Sequence, residues 1–167
     1  LAEFGKTSKA ALDLAQADIN AYLAASGQGG TATFLIENTG GNPEQALEKL
    51  KSLAGRGVRA VIGPYSDDEA EACLEFADKN NIVLISQGSS GPFLSKKGDN
   101  LFRLSPSDTY QAEAVTGLMR QEGVTAVVPL WRADRFGDDM VVHVKARFKQ
   151  LGGAALPGSR YSADRKD

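Results

Sequence analysis

Apolar positions along the chain follow two alternating rhythms, short continuous runs and longer stretches with apolar residues three and four apart. The runs Thr33–Glu37, Ala60–Ile62, Ile82–Ile85, Leu101–Leu104 and Ala126–Leu130 have the length and bounding turn residues of strands, and Pro129 marks an edge, a bulge or a strand end. A further short strand is expected near Ala154–Leu156. The periodic stretches predict five helices. The first starts at Thr7 or Ser8, carries Ala11, Ala15, Ile19 and Tyr22 on its apolar face, and ends before Gly27. The second has Asn42 as N-cap, Pro43 at its first position and Gln45 at N3, with Ala46, Leu50, Leu53 and Ala54 inward. The third runs from Asp67 to about Asn80 over Ala70, Cys73, Leu74 and Ala77. The fourth opens at Pro106-Ser107-Asp108 and carries Ala112, Val115, Leu118 and Met119. The fifth follows a loop at Trp131–Gly137 and places Val141, Val144, Phe148 and Leu151 inward. Strand and helix alternate throughout, the pattern of an α/β fold with doubly wound parallel sheets. The one break is the strand Leu101–Leu104, where the chain is expected to leave one lobe for another.

Two strand ends draw the chemistry together. Ala60–Ile62 stops at Gly63-Pro64, and Ser66 with Glu69 then forms a capping box that opens the third helix. Ile82–Ile85 ends in Ser86-Gln87-Gly88-Ser89-Ser90-Gly91-Pro92. In open α/β sheets ligands sit in the crevice beyond the carboxyl ends of the strands, so two such loops make one wall of a candidate cleft.

Composition narrows the classes. With 42% hydrophobic and 24% charged residues the chain reads as soluble and globular. At 167 residues it suffices for one ordinary domain or parts of two small lobes. The net charge of −2 and the lack of any long basic run argue against a nucleic-acid surface, and no apolar run is long enough to span a bilayer. The single cysteine, Cys73, cannot form an internal disulfide and reads as a small buried side chain. His143 has no second His or Cys nearby and reads as solvated or hydrogen-bonded, and no metal or cofactor is expected. The start at Leu1 and the polar tail Ser162–Asp167 read as cuts through a longer protein.

The residues Phe4-Gly5-Lys6, Ala17-Asp18-Ile19-Asn20, Asn42-Pro43-Glu44-Gln45-Ala46, Val61-Ile62-Gly63-Pro64-Tyr65-Ser66, Leu84-Ile85-Ser86-Gln87-Gly88-Ser89-Ser90, Phe102-Arg103-Leu104-Ser105-Pro106-Ser107-Asp108 and Arg135-Phe136-Gly137 occur in an order and spacing that resembles the type I periplasmic solute-binding proteins. The likeness is to the branched-chain amino acid and amide group that serves ABC importers. It implies two α/β lobes closing on a small ligand, with residues 1–105 forming most of the first lobe, its first strand preceding Leu1, and residues 106–167 only beginning the second. It further implies an extracytoplasmic location, periplasmic or at the cell surface, an ABC transporter permease as partner, and a lipid anchor ahead of the chain. Such a piece is expected to be marginal when isolated.

The resemblance also places site residues. Phe4 falls where an aromatic covers the ligand, and Gly88, Ser89 and Ser90 fall on the loop that holds the ligand carboxylate. Tyr65, Ser66, Asp108, Trp131 and Phe136 complete the candidate set. Asp67 stands where the family's amino acid binders have a serine. Facing the cleft, it would repel a ligand carboxylate at ~4 Å by roughly 4 kcal/mol at an effective dielectric near 20, favouring an amine, amide or hydroxyl instead. Pointing away, it would leave Ser66 and the helix amides free for a carboxylate. Equally ordinary roles stand beside these: Ser66 as cap, Asp67 and Asp68 as complements of the helix dipole, Asp108 as a helix-start carboxylate, Trp131 as hinge packing, and the serines as turn residues. Non-catalytic capture of a small polar ligand (an amino acid, amide or related compound) is the principal reading. The alternatives are a ligand-sensing receptor ectodomain and an Mg²⁺-dependent phosphoryl-transfer enzyme using Asp67 and Asp68. The latter lacks a P-loop lysine or a nucleophile with a partnered base.

Overall fold

The structure is a computed structural model that describes residues 2–27 and 29–162, with side chains from residue 5 onward. Its elements are α1 (Ala2–Ser26), α2 (Pro43–Gly55), β1 (Ala60–Ile62), α3 (Asp67–Lys79), β2 (Val83–Ser86), a 3-10 turn (Pro92–Leu94), β3 (Leu101–Arg103), α4 (Asp108–Gln121), β4 (Ala126–Val127), β5 (Leu130–Arg132), α5 (Arg135–Gln150), β6 (Ala154–Ala155) and β7 (Ser159–Tyr161). The first sheet has the order β1-β2-β3. All its strands are parallel, with Val61 opposite Leu84 and Leu84 opposite Leu101. Two further parallel pairs, β4 with β6 and β5 with β7, make separate ladders. The doubly wound parallel architecture expected from the alternation is present.

The core follows the periodicities of α2 and α3. Ala46 and Leu50 from α2, Ala70, Cys73, Leu74 and Ala77 from α3, Ile82 just ahead of β2, and Leu84 and Leu101 from the sheet form one buried cluster. Leu94 of the 3-10 turn, an element without a periodic signal, drops into the same cluster. Both helix starts carry their caps. The Asn42 side chain accepts from the Gln45 amide at 2.8 Å. Ser66 and Glu69 form the complete capping box.

Several expectations change. Residues 33–37 join no ladder. Their backbone is held by α1 side chains instead: the Phe34 amide donates to Gln16 Oε1 at 2.6 Å, and Asn20 exchanges two hydrogen bonds with Ala32. That contact turns α1 on its axis. Its partly covered positions include Leu12, Gln16, Asn20 and Leu23, while Ile19 is 39% and Tyr22 66% exposed, so the expected apolar stripe is displaced by about one residue. On α4 the buried positions are Asp108, Ala112 and Thr116, with Val115 and Leu118 outward. Thr116 sits there because its hydroxyl donates to the Ala112 carbonyl at 2.6 Å, leaving a methyl for packing. Pro129 divides the expected strand Ala126–Leu130 into β4 and β5, since it lacks the N–H a ladder needs. Helix α5 begins at Arg135, earlier than expected, because the Asp134 side chain accepts from the Gly137 amide at 2.8 Å and caps it.

Candidate functional site

The two loops singled out from the sequence meet. β1 and β2 are neighbours, so the start of α3 lies beside the loop after β2. The Asp67 Oδ1 accepts from the Ser90 amide at 2.8 Å and the Gly91 amide at 3.0 Å. Glycine is required for this fit, because a Cβ at Gly91 would stand 3.1 Å from Asp67 Oδ2 and 2.4 Å from the Phe93 ring. Gly88 has a parallel role, since a Cβ there would meet the Tyr65 ring at 2.5 Å and the Tyr65 carbonyl oxygen at 2.6 Å.

Ser66 is committed to its own helix. Its amide donates to Glu69 Oε2 at 3.2 Å and its hydroxyl to the same oxygen at 2.8 Å. Glu69 is buried and also accepts from the Thr39 hydroxyl. Within the second loop the Ser89 amide donates to Ser86 Oγ at 3.1 Å, and Ser105 Oγ donates to the Gln87 carbonyl at 2.7 Å. Ser89 and Ser90 are both buried. Asp108 joins them from the start of α4: its amide donates to the Ser90 carbonyl at 3.1 Å, and Gln111 Nε2 donates to its Oδ1 at 3.1 Å. Asp108 is fully buried. Burial pushes its carboxyl upward, Asp67 and Asp139 add repulsion, and Ser90 and His143 pull the other way.

Among the described residues, Gln87 Oε1, Ser89 Oγ and Asp108 Oδ2 are buried with no hydrogen-bond partner. Such atoms are costly to leave unpaired. Nothing local in the sequence signals them.

Tyr65, Ser66, Asp67, Gly88, Ser89, Ser90 and Asp108 thus lie together as one wall. Trp131 and Phe136 lie elsewhere. They line an apolar groove of about 430 Å³ with Val115, Met119, Leu130 and Tyr161, on α4, β5, α5 and β7. None of the polar loop residues lines that groove, so its size does not make it the chemical centre. Trp131 Nε1 donates to Asp138 Oδ1 at 2.9 Å, and the same carboxylate receives Arg160 in a fork of two 2.7 Å bonds. These donors hold the Asp138 carboxyl down at about 2, with Arg160 the larger influence. The Phe4 side chain lies outside the described residues.

Arg135 reaches from the first residue of α5 to the outer face of α3. Its Nη1 lies 3.1 Å from Asp68 Oδ1 and 2.6 Å from Glu71 Oε2, and its guanidinium carbon stands 3.6 Å from the centre of the Phe93 ring. Asp67 and Asp68 are therefore directed to different partners, which separates the two carboxylates that the Mg²⁺ reading requires on one ion. Among the described residues no group of three or more His, Cys, Asp or Glu side chains could hold a metal. No helix among them is long and apolar enough to cross a membrane.

Comparison with known proteins places the fold. The family described as the receptor family ligand binding region matches residues 7–154. The chain belongs to this family. An uncharacterized protein of Methanocaldococcus jannaschii is 27% identical over 146 residues, covering 84% of the chain and 35% of that protein. The Leu/Ile/Val-binding protein BraC3 of Rhizobium johnstonii is 27% identical over 79 residues, 47% of the chain and 22% of its own length. Among solved structures, the branched-chain amino acid transporter substrate binding protein LivJ of Streptococcus pneumoniae, in complex with isoleucine, superposes with a TM-score of 0.75 at 20% identity. It shares 87% of the chain and 42% of its own. The family member described here therefore has the type I periplasmic binding fold and spans about a third of the length of the M. jannaschii relative.

Proposed function

We propose that the chain is the ligand-capturing part of an extracytoplasmic solute-binding protein for an ABC importer. It holds a small polar ligand, an amino acid, amide or related compound, against the wall formed by Tyr65–Asp67 and Gly88–Gly91. Residues 1–105 act as one lobe and residues 106–167 as the start of the other, with the permease as partner and a lipid anchor or free periplasmic form outside this segment. The observation that carries the reading is the convergence of the α3 start and the β2 loop, with buried, unpartnered polar atoms on Ser89, Gln87 and Asp108. Ligand groups satisfy such atoms in binding sites. The family match and the solute-binding structural neighbours agree with it. Family and neighbours alike point to binding, not catalysis.

A second reading has its own support. Glutamate receptor 2.4 of Arabidopsis thaliana is 28% identical over 97 residues, 58% of the chain and 11% of that receptor. On this reading the same wall senses a ligand as part of a membrane receptor.

A thermal-stabilisation screen of the full-length protein against amino acids, amides, amines and organic acids tests the capture reading. A concentration-dependent rise in Tm with one chemical series is the expected result. A protein stabilised only by Mg²⁺ with phosphate esters would sink it. The flanking sequence separates the two binding readings, a lipoprotein signal favouring the importer and a transmembrane helix the receptor.

A further inference from the structure

Several donors on this wall are already in use by the protein's own carboxylates. The Ser66 amide and hydroxyl are taken by Glu69, and the Ser90 and Gly91 amides by Asp67. An anion arriving at the β2 loop would find the Ser90 and Gly91 amides occupied. Nearby guanidiniums are committed as well. Arg103 donates to the Gly91 carbonyl at 2.8 Å and to Ser95 Oγ at 2.5 Å. Arg135 is held by Asp68, Glu71 and Phe93. What the wall leaves unpaired is acceptor capacity: Gln87 Oε1, Asp108 Oδ2 and the two-way hydroxyl of Ser89.

We propose that Asp67 is a built-in occupant of the Ser90–Gly91 amides, so that the site excludes a ligand carboxylate there and selects a ligand presenting an amine or amide N–H. The inference rests on the ligand-capture reading and assigns that site its ligand chemistry. Asp67 sits at the first position of α3, where the helix dipole favours a carboxylate. A ligand carboxylate would have to displace a tethered, charge-matched group and would meet Asp67, Asp108 and Asp139 in the same region. A ligand N–H meets acceptors that have no other partner. Specificity of this kind works by repulsion as much as by attraction.

The test uses full-length protein labelled with ¹⁵N-serine and ¹⁵N-glycine and titrated with acetate. In wild type the Ser90 and Gly91 amide signals should stay still. In Asp67→Ser, where the short hydroxyl no longer reaches the amides, acetate should move both saturably, with at least about tenfold tighter apparent binding than in wild type. Asp67→Asn keeps an acceptor oxygen of the same shape and should exclude acetate as wild type does. A wild type whose two amides respond to acetate like those of Asp67→Ser overturns the proposal, and so does an Asp67→Ser protein whose amides stay silent. Should Asp67→Ser not fold, the wild-type and Asp67→Asn titrations still decide whether the amides are occupied. Acetamide in place of acetate should move the Ser89 signal of wild type further than acetate does, and the reverse order overturns the ligand class. These signals report on the loop whether or not the stabilisation screen has found a ligand. Failure of the screen with an occupied loop rejects the capture reading alone, and a screen won by carboxylates that move the loop amides rejects only the role of Asp67.

Discussion

Cys73 shows how far one residue's environment departs from its ordinary chemistry. Burial, with the Glu69 charge adding to it, pushes its thiol up to about 12 from 9.0. The folded protein therefore keeps the thiol protonated while the unfolded chain ionises, so stability declines as pH rises above about 9. Iodoacetamide at pH 8.5 should leave Cys73 unmodified in native protein and alkylate it rapidly in urea, and rapid native alkylation would contradict its place in the core. Asp138 has the opposite sign. Its carboxyl is held at about 2, so its link to Arg160 and Trp131 is complete above the ordinary carboxylate range and is lost as pH falls from about 4 toward 2. Carboxyl NMR should give that low midpoint, and Arg160→Ala should move it upward. A third residue-scale test is Gly88→Ala, which drives a methyl into Tyr65 and should destabilise by about 1–3 kcal/mol in a denaturant titration. Residue roles with local partners were legible in the sequence: the Ser66–Glu69 box spans three positions, and Asn42 caps through Gln45. The Asp67 bonds to Ser90 and Gly91 span 23 and 24 positions, and no local pattern encodes them.

Elements were legible where one face of a periodic stretch meets a continuous core. α2 and α3 bury the alanines, leucines and Cys73 that their spacing selects. α1 and α4 were misread on the same principle, because polar groups took positions on their packed faces. Gln16 and Asn20 hold the backbone at Ala32 and Phe34, and Asp108 and Thr116 are buried through their own hydrogen bonds. The strand expected at Thr33–Glu37 has the right composition, but composition does not supply a neighbouring strand. Arg135 supplies the prediction at this scale. Its two carboxylate partners are each about half exposed, so the ion pairs are screened and small, and the Phe93 contact adds a similar amount. Arg135→Ala should cost about 1 kcal/mol in low salt and less at 1 M NaCl. A cost that does not change with salt would assign the effect to packing alone.

At the scale of the whole molecule, the order of strands and helices carried the fold, and the ordered motifs carried the family. The parallel sheet β1-β2-β3 brings two loops 23 residues apart in sequence against each other, and that proximity turns two weak motifs into one wall. The sequence did not reveal that the Ser90 and Gly91 amides are internally satisfied, nor that Trp131 and Phe136 line a different groove, because both depend on tertiary placement. Capture of a small polar ligand by the β2 loop is read from its buried, unpartnered groups, the Ser89 hydroxyl among them. Calorimetric titration of the full-length protein with the ligand the screen selects compares wild type with Ser89→Ala. Binding should weaken by about 1–3 kcal/mol as a buried ligand group loses its partner, with Tm in the absence of ligand little changed. Undiminished affinity in Ser89→Ala would remove this loop from the ligand site.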